Sequence, residues 1–303
     1  MPEYDAAAGA DEIAAAAAAL GAMLRGERPA EPVVLRRVEA AAAAASGGDE
    51  ILAELEPGRL AGRPWRADRV RVSPGPDFFY SEPRLAATAR AGQVRTSEEV
   101  ALWYQEFLGR LLAEAGCSAA ANTKPEPLVY AGGEAVYLQA SVPTHLQARA
   151  AAFLAGFAEV FLSGAPRPVA EAQGPRVWVS AAGTVSALHY DADWSALAQA
   201  SGTKRLLFFP AADLDRIYPY PDGHPLRRRG RVDLTAADLA GDGAAKYPLA
   251  RGLAAWEAVL GPGDAVAFPP RWAHYTESRS LSASLTWRFR AGAEADTEHG
   301  REV

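Results

Sequence analysis

TVSALHYDADWSALAQASGTKRLLFFP, residues 184–210, decides the fold. Two runs rich in aliphatic, aromatic and β-branched residues flank a Ser-Gly-Thr turn signal at 201–203, the pattern of two strands joined by a tight hairpin connection. In the first run His189 and Asp191 stand two residues apart. Alternate side chains of a strand share a face, so these two point the same way, with Tyr190 on the other side. An imidazole and a carboxylate so placed offer a metal two ligands at once. Alone the pair is weak: with 5 histidines and 15 aspartates in 303 residues, an accidental HxD arises in about one chain in four.

Downstream, the strand-like runs continue. DAVAFP (264–269), WAHYTES (272–278) and SLSASLTWRFR (280–290) follow, and RVWVS (176–180) precedes. Many short strands with turn signals imply a sandwich or barrel, and jelly-roll closure removes the exposed edges. Between them sits an insertion, residues 211–262, with a short acidic helix at 211–217, a YPYP turn at 218–221 and an arginine run at 227–229 and 231. His274 lies just past the PPRW turn, and a strand from the opposite side of the barrel would aim it at His189 and Asp191. Two histidines and one carboxylate make a facial triad that leaves positions open on an octahedral ferrous ion. A closed structural zinc site would need a fourth ligand.

Upstream the pattern is helical. Residues 96–116 are expected to form a helix, with Thr96 and Glu99 as a capping box, apolar residues recurring from Val100 to Leu112, and Gly116 as C-cap. Residues 135–141 (AVYLQAS) read as a strand, and a second helix spans about 145–162 with Phe153, Phe157 and Phe161 on its apolar face. Short strands are expected at 69–72 and 78–80. The first fifty residues hold two alanine runs; a helix over 11–25 follows from alanine's propensity, with little bulky apolar surface to dock. Residues 1–60 are therefore set apart as a helical or flexible segment, and 61–303 as the main domain, with its barrel core at about 135–290. The fold class is mainly β (α+β): a double-stranded β-helix of the jelly-roll or cupin type, with flanking N-terminal helices.

Composition is that of an ordinary globular chain, 49% hydrophobic and 22% charged. A net charge of −6 argues against a phosphate-backbone binder, so no nucleic-acid partner is expected. Cys117 is the only cysteine, which excludes a disulfide framework and a cysteine-rich zinc site. No apolar run approaches a bilayer span. Glu3, Asp5, Asp11 and Glu12 stand where a secretory signal would be basic, so a cytoplasmic protein is expected. Lysine occurs only at 124, 204 and 246 among 31 basic residues. Lys204, fifteen residues after His189, is thus set against a strong arginine bias.

The stretch from His189 through Lys204, with LLFFP, IYPYPDGHP, RVDL, VLGPGD and HYTES, resembles the JmjC group of Fe(II)- and 2-oxoglutarate-dependent oxygenases. Within that group it is most similar to the asparaginyl hydroxylase known as factor inhibiting HIF. The resemblance covers about residues 69–292 and is strongest over 176–289. It implies that His189, Asp191 and His274 hold iron, that Lys204 pairs with the distal carboxylate of 2-oxoglutarate, and that Tyr137 and Ser186 hydrogen-bond that carboxylate. It places Gln139 near the substrate. Ser195 and Thr286 fall where the family has asparagines near the cofactors, a departure that leaves their roles open. Trp178, Trp272 and Trp287 are read as core.

In the related hydroxylase an arginine and a glutamine hold the target side chain; Arg228 and Arg229 occupy those places. Exchanging an amide for a guanidinium favours an acidic partner, because arginine offers a fork of donors and no acceptor. The expected activity is O₂-dependent hydroxylation of a C–H bond in a protein or peptide side chain. The rivals are a small-molecule hydroxylase of the same fold and a non-catalytic cupin that holds a metal or ligand. The polar residues after Phe289 supply no helical dimerisation module, so that mode of dimerisation is not expected and the oligomeric state, a monomer included, stays open.

Overall fold

In this computed structural model the described residues are 1–47, 50–73, 98–118, 135–224, 226–232, 234 and 245–292. The barrel is built by eight strands: β6 (Val169–Ser180), β7 (Val185–Tyr190), β8 (Trp194–Ser201), β9 (Lys204–Phe209), β10 (Trp256–Leu260), β11 (Ala265–Phe268), β12 (Ala273–Ser278) and β13 (Ser282–Ala291). One sheet runs β11-β8-β13-β6 and the other β10-β9-β12-β7, so most successive strands alternate between sheets. That alternation, antiparallel throughout, is the jelly roll.

The large sheet grows at both edges. Beyond β6 come β5 (Ala135–Ser141), β3 (Arg66–Ser73) and β4 (Glu98–Trp103); beyond β11 come β2 (Val33–Arg36) and β1 (Glu3–Asp5). Helices α1 (Ala10–Leu24), α2 (Val38–Ser46) and α6 (Gln147–Phe161) cover the large sheet's outer face, with α3 (Ile51–Glu54), α4 (Pro57–Leu60) and α5 (Tyr104–Ser118) beside them.

A two-residue period sorts the side chains of this sheet. On β13, Ala283, Leu285, Trp287 and Phe289 join the helix-side core, while Ser282, Ser284, Thr286 and Arg288 take the other face. On β8, Trp194, Ala196, Ala198 and Ala200 face the helices, and Ser195, Leu197 and Gln199 alternate with them. Phe153 and Phe157 of α6 meet Trp287 edge-on, with centroids 6.0 and 4.9 Å apart. Full burial of such a ring contributes about 1.5–3 kcal/mol, so this face anchors the sheet and leaves its inner face to polar chemistry. A smaller cluster, including Leu206, Phe208, Leu260, Val266 and Phe268, joins the two sheets.

Several expectations are corrected. Residues 1–60 do not stand apart: β2 pairs antiparallel with β11, and α2 packs on α6. A Cβ on Gly156 would collide with the Ala42 carbonyl, so these helices touch through backbone and small side chains and need no bulky surface. The helix expected from residue 96 begins only at Tyr104; Glu98–Trp103 is a strand on β3, where Glu99 pairs with Arg71 Nη2 at 3.1 Å. The 201–203 turn is not a hairpin, because β8 and β9 belong to different sheets. Gly202, at φ +68°, crosses between them hard against the Leu281 carbonyl, a place only glycine fills without strain. Thr96, the short strand expected at 78–80 and the tail after 292 lie outside the described residues. Among the described residues no helix is long and apolar enough to cross a membrane.

Candidate metal and cosubstrate site

The inner faces of both sheets converge on one cavity, about 670 Å³ counted out to its open mouth. Its walls include His189, Asp191, His274, Lys204, Tyr137, Ser186, Ser195, Thr286 and Gln139, nine of the eleven residues expected from the sequence. The cavity also takes in Trp178, Arg176, Gln173, Thr276 and Arg288, which sequence reasoning had not assigned to a site.

His189 and His274 are direct cross-strand partners on β7 and β12, neighbours in one sheet and not strands from opposite sides of the barrel. Their ring centroids lie 4.2 Å apart. His189 Nδ1 sits 2.8 Å from the Ala187 carbonyl and His274 Nδ1 3.2 Å from that of Trp272. An Nδ1–H that donates to a carbonyl fixes the tautomer and leaves Nε2 as the lone-pair donor, as a metal-binding histidine requires. Burial pushes both imidazoles below their ordinary range, at His189 with help from the facing His274 and from Arg229.

Asp191 follows β7 immediately and is buried. Arg288 Nη2 donates to its Oδ1 at 2.5 Å, and Ser195 Oγ to its Oδ2 at 2.9 Å. Burial alone would raise its pKa; the Arg288 guanidinium, the two imidazoles and the Ser195 hydroxyl outweigh that and hold the carboxyl well below the usual carboxylate range. Ser195 therefore acts on the carboxylate. Two neutral imidazoles and an ionised carboxylate on one wall are the donor chemistry of a facial triad. Among the described residues no three such side chains close on a common ligating point, and Asp191 Oδ1 is held by Arg288.

Lys204 opens β9 on the cavity wall and is only 3% exposed. Its ammonium donates to Ser284 Oγ at 2.6 Å. Burial alone lowers its pKa, to about 7. No carboxylate among the described residues forms an ion pair with it, an arrangement that leaves a buried cation open to an anionic ligand. Tyr137 and Ser186 meet nearby, hydroxyl to hydroxyl at 3.1 Å. Thr286 accepts from Trp178 Nε1 at 2.6 Å, so Trp178 is a wall of the cavity and not simply core. Gln139 is buried, and its Oε1 has no hydrogen-bond partner among the described residues.

The two arginines expected to meet the substrate are placed elsewhere. Arg229 bridges to His189 through the backbone, donates to the Ala187 carbonyl at 3.5 Å, and lines a second cavity with Leu188 and Tyr275. Arg228 is exposed and lines neither cavity. The cationic residues on the site's own wall are Arg176, Lys204 and Arg288. Only the inward face of β6 and β13 carried a signal for Arg176 and Arg288.

With fold and site defined, the class follows: the chain belongs to the Cupin-like domain family, which it matches over residues 31–294. More particularly, it is similar to JmjC-domain proteins. Relatives include Jumonji C domain-containing protein 5 of Drosophila melanogaster, 36% identical over 114 residues, which are 37% of this chain and 27% of that protein. Lysine-specific demethylase JMJ30 of Arabidopsis thaliana is 32% identical over 127 residues, 42% of this chain and 28% of the relative. Lysine-specific demethylase 8 of Xenopus tropicalis is 32% identical over 110 residues, 36% and 24% of the two chains. The aligned segments thus span about a quarter of each relative.

Proposed function

We propose that this protein is an Fe(II)- and 2-oxoglutarate-dependent oxygenase that hydroxylates a C–H bond. The observation that carries the reading is Lys204: a buried ammonium without an acidic partner among the described residues, lining the same cavity as His189, His274 and Asp191. Two imidazoles and a carboxylate would hold the ferrous ion. Lys204, with the Tyr137 and Ser186 hydroxyls, would take the distal carboxylate of 2-oxoglutarate. When bound, the iron and cosubstrate supply O₂ activation and the two electrons that 2-oxoglutarate loses on conversion to succinate and CO₂. The chain's own share is orientation and a site shielded by Leu197, Leu206, Phe268 and Trp178.

A protein or peptide side chain is the favoured substrate, because the relatives include proteins named as lysine-specific demethylases. Removal of an N-methyl group begins with hydroxylation of its C–H bond, so one site serves either outcome. Gln139 would meet the substrate, since its buried Oε1 needs a donor. A metabolite is the second reading, because one fold accepts many substrates. An acid-selecting role for Arg228 and Arg229 gains no support from a cavity whose walls exclude both arginines.

Anaerobic addition of Fe(II) and then 2-oxoglutarate, followed by air, tests this. The expected result is a weak visible charge-transfer band and then succinate. Neither signal would leave a non-catalytic cupin as the better description.

A further inference from the structure

Below the cavity a chain of hydrogen bonds runs in one direction. Lys204 Nζ donates to Ser284 Oγ at 2.6 Å, and Ser284 Oγ donates to Gln199 Oε1 at 3.0 Å. Gln199 Nε2 in turn donates to Ser282 Oγ at 2.8 Å and to the Ser201 carbonyl at 2.7 Å. Gln199, Ser282 and Ser284 are each 0% exposed. Strand register builds the chain: Ser284 lies opposite Gln199 on β13 and β8, and Lys204 opens the strand after the Gly202 crossing.

Directionality is the informative feature. A serine hydroxyl has one proton. The Ser201 carbonyl can only accept, which fixes which end of the Gln199 amide is oxygen. That oxygen takes the Ser284 proton, so Ser284 can only accept from Lys204. The network therefore presents a lone pair to the ammonium and occupies one of its three N–H bonds. Two remain for a ligand in the cavity. Polarised chains of this kind strengthen each member in a low-dielectric interior.

We propose that Ser284, oriented by Gln199, is a positioning residue that aims the Lys204 ammonium at the cosubstrate carboxylate. This rests on the oxygenase reading for the identity of the ligand, but the aiming of Lys204 does not. Ser284 touches neither iron nor substrate in this scheme and acts through the lysine. Hydrogen bonds to charged groups are the strong class, so the loss is measurable in binding.

The test is calorimetric titration of 2-oxoglutarate into the full chain loaded with Mn(II), under nitrogen, together with ¹⁵N-lysine NMR. With only three lysines the Lys204 signal is assignable by its loss in K204M. Ser284→Ala is expected to weaken 2-oxoglutarate about 10-fold with Mn(II) affinity unchanged. It should also move the Lys204 titration to lower pH, with Ser284→Thr restoring both. Gln199→Met, one link further from the lysine, provides the same readings should S284A not fold, with a smaller loss expected. Wild-type affinity and an unmoved lysine titration in folded variants would overturn the proposal. A wild-type protein that ignores 2-oxoglutarate would overturn the oxygenase reading, and the lysine titration would still decide whether Ser284 positions the ammonium.

Discussion

The imidazoles of His189 and His274 face one another across β7 and β12, centroids 4.2 Å apart, each with Nδ1 on the backbone carbonyl two residues earlier. Because burial keeps both neutral, protons do not compete for them at the usual histidine midpoint near 6.5. The acid-side fall of Co(II) or Mn(II) affinity is therefore expected to begin below that midpoint. Metal titrations at each pH check this; a tenfold loss per unit beginning at 6.5 would contradict it. The unfolded chain takes up the protons that the folded one refuses, so stability should fall as the pH drops below about 6.5.

Lys204 carries a pair of effects with opposite signs. Its folded-state pKa, lowered to about 7, lies below an unfolded value near 10.4. The cost of burying the charge is full below pH 7 and is relieved as the pH rises toward 10.4. Lys204→Met should therefore resist urea better than the ligand-free wild type at pH 7, with the gap closing by about pH 10. The same variant should lose 2-oxoglutarate affinity by about 100-fold or more. In the wild type that affinity should decline above pH 7, because binding must return a proton to the amine. Calorimetry in buffers of different ionisation enthalpy would show the proton uptake.

Arg288 and Asp191 form a pair in which the carboxylate is the more deeply buried partner. Arg288→Met leaves Asp191 Oδ1 and Gln173 Oε1 each short of a donor. A loss of about 1–3 kcal/mol is expected at pH 7 by urea unfolding. Asp191's folded-state pKa is depressed, so this contribution is present above the unfolded carboxyl range and fades as acid protonates the carboxylate. A loss that persisted unchanged at low pH would assign the effect to packing alone.

Much of the barrel was legible because its strands obey a two-residue period, and Lys204 stood out through its rarity. What was hidden depended on partners distant in sequence. Val100 to Trp103 fits helical or strand spacing equally, and only pairing with β3 decides between them. Ser282 and Ser284 sit in SLSASLTW as an alternating hydroxyl stripe, a visible signal whose meaning needed Gln199 opposite. Arg229 lines a second cavity with Ala187, Leu188 and Tyr275, something a loop sequence does not disclose. The alanine runs looked poor in docking surface because helix contact through backbone leaves no apolar stripe to find.

That last contact gives a direct test of how the N-terminal helices are attached. Gly156 of α6 lies against the Ala42 carbonyl of α2, and Gly21 of α1 against Gly164, where an added Cβ would come within 2.5 Å of the carbonyl oxygen. Neither glycine has a positive φ, so alanine is compatible with the backbone and, as a better helix former, would stabilise a free helix. Gly156→Ala should nevertheless destabilise the protein, by about 1–3 kcal/mol, because α2 must move off α6 to admit the methyl group. Since α2 follows β2, and β2 pairs with β11 beside the barrel, the strain should be felt in one cooperative transition. Fluorescence of the core tryptophans and far-ultraviolet circular dichroism should then report the same shifted urea midpoint. A separate early transition in helicity, with the tryptophan signal unmoved, would show that the first sixty residues unfold on their own.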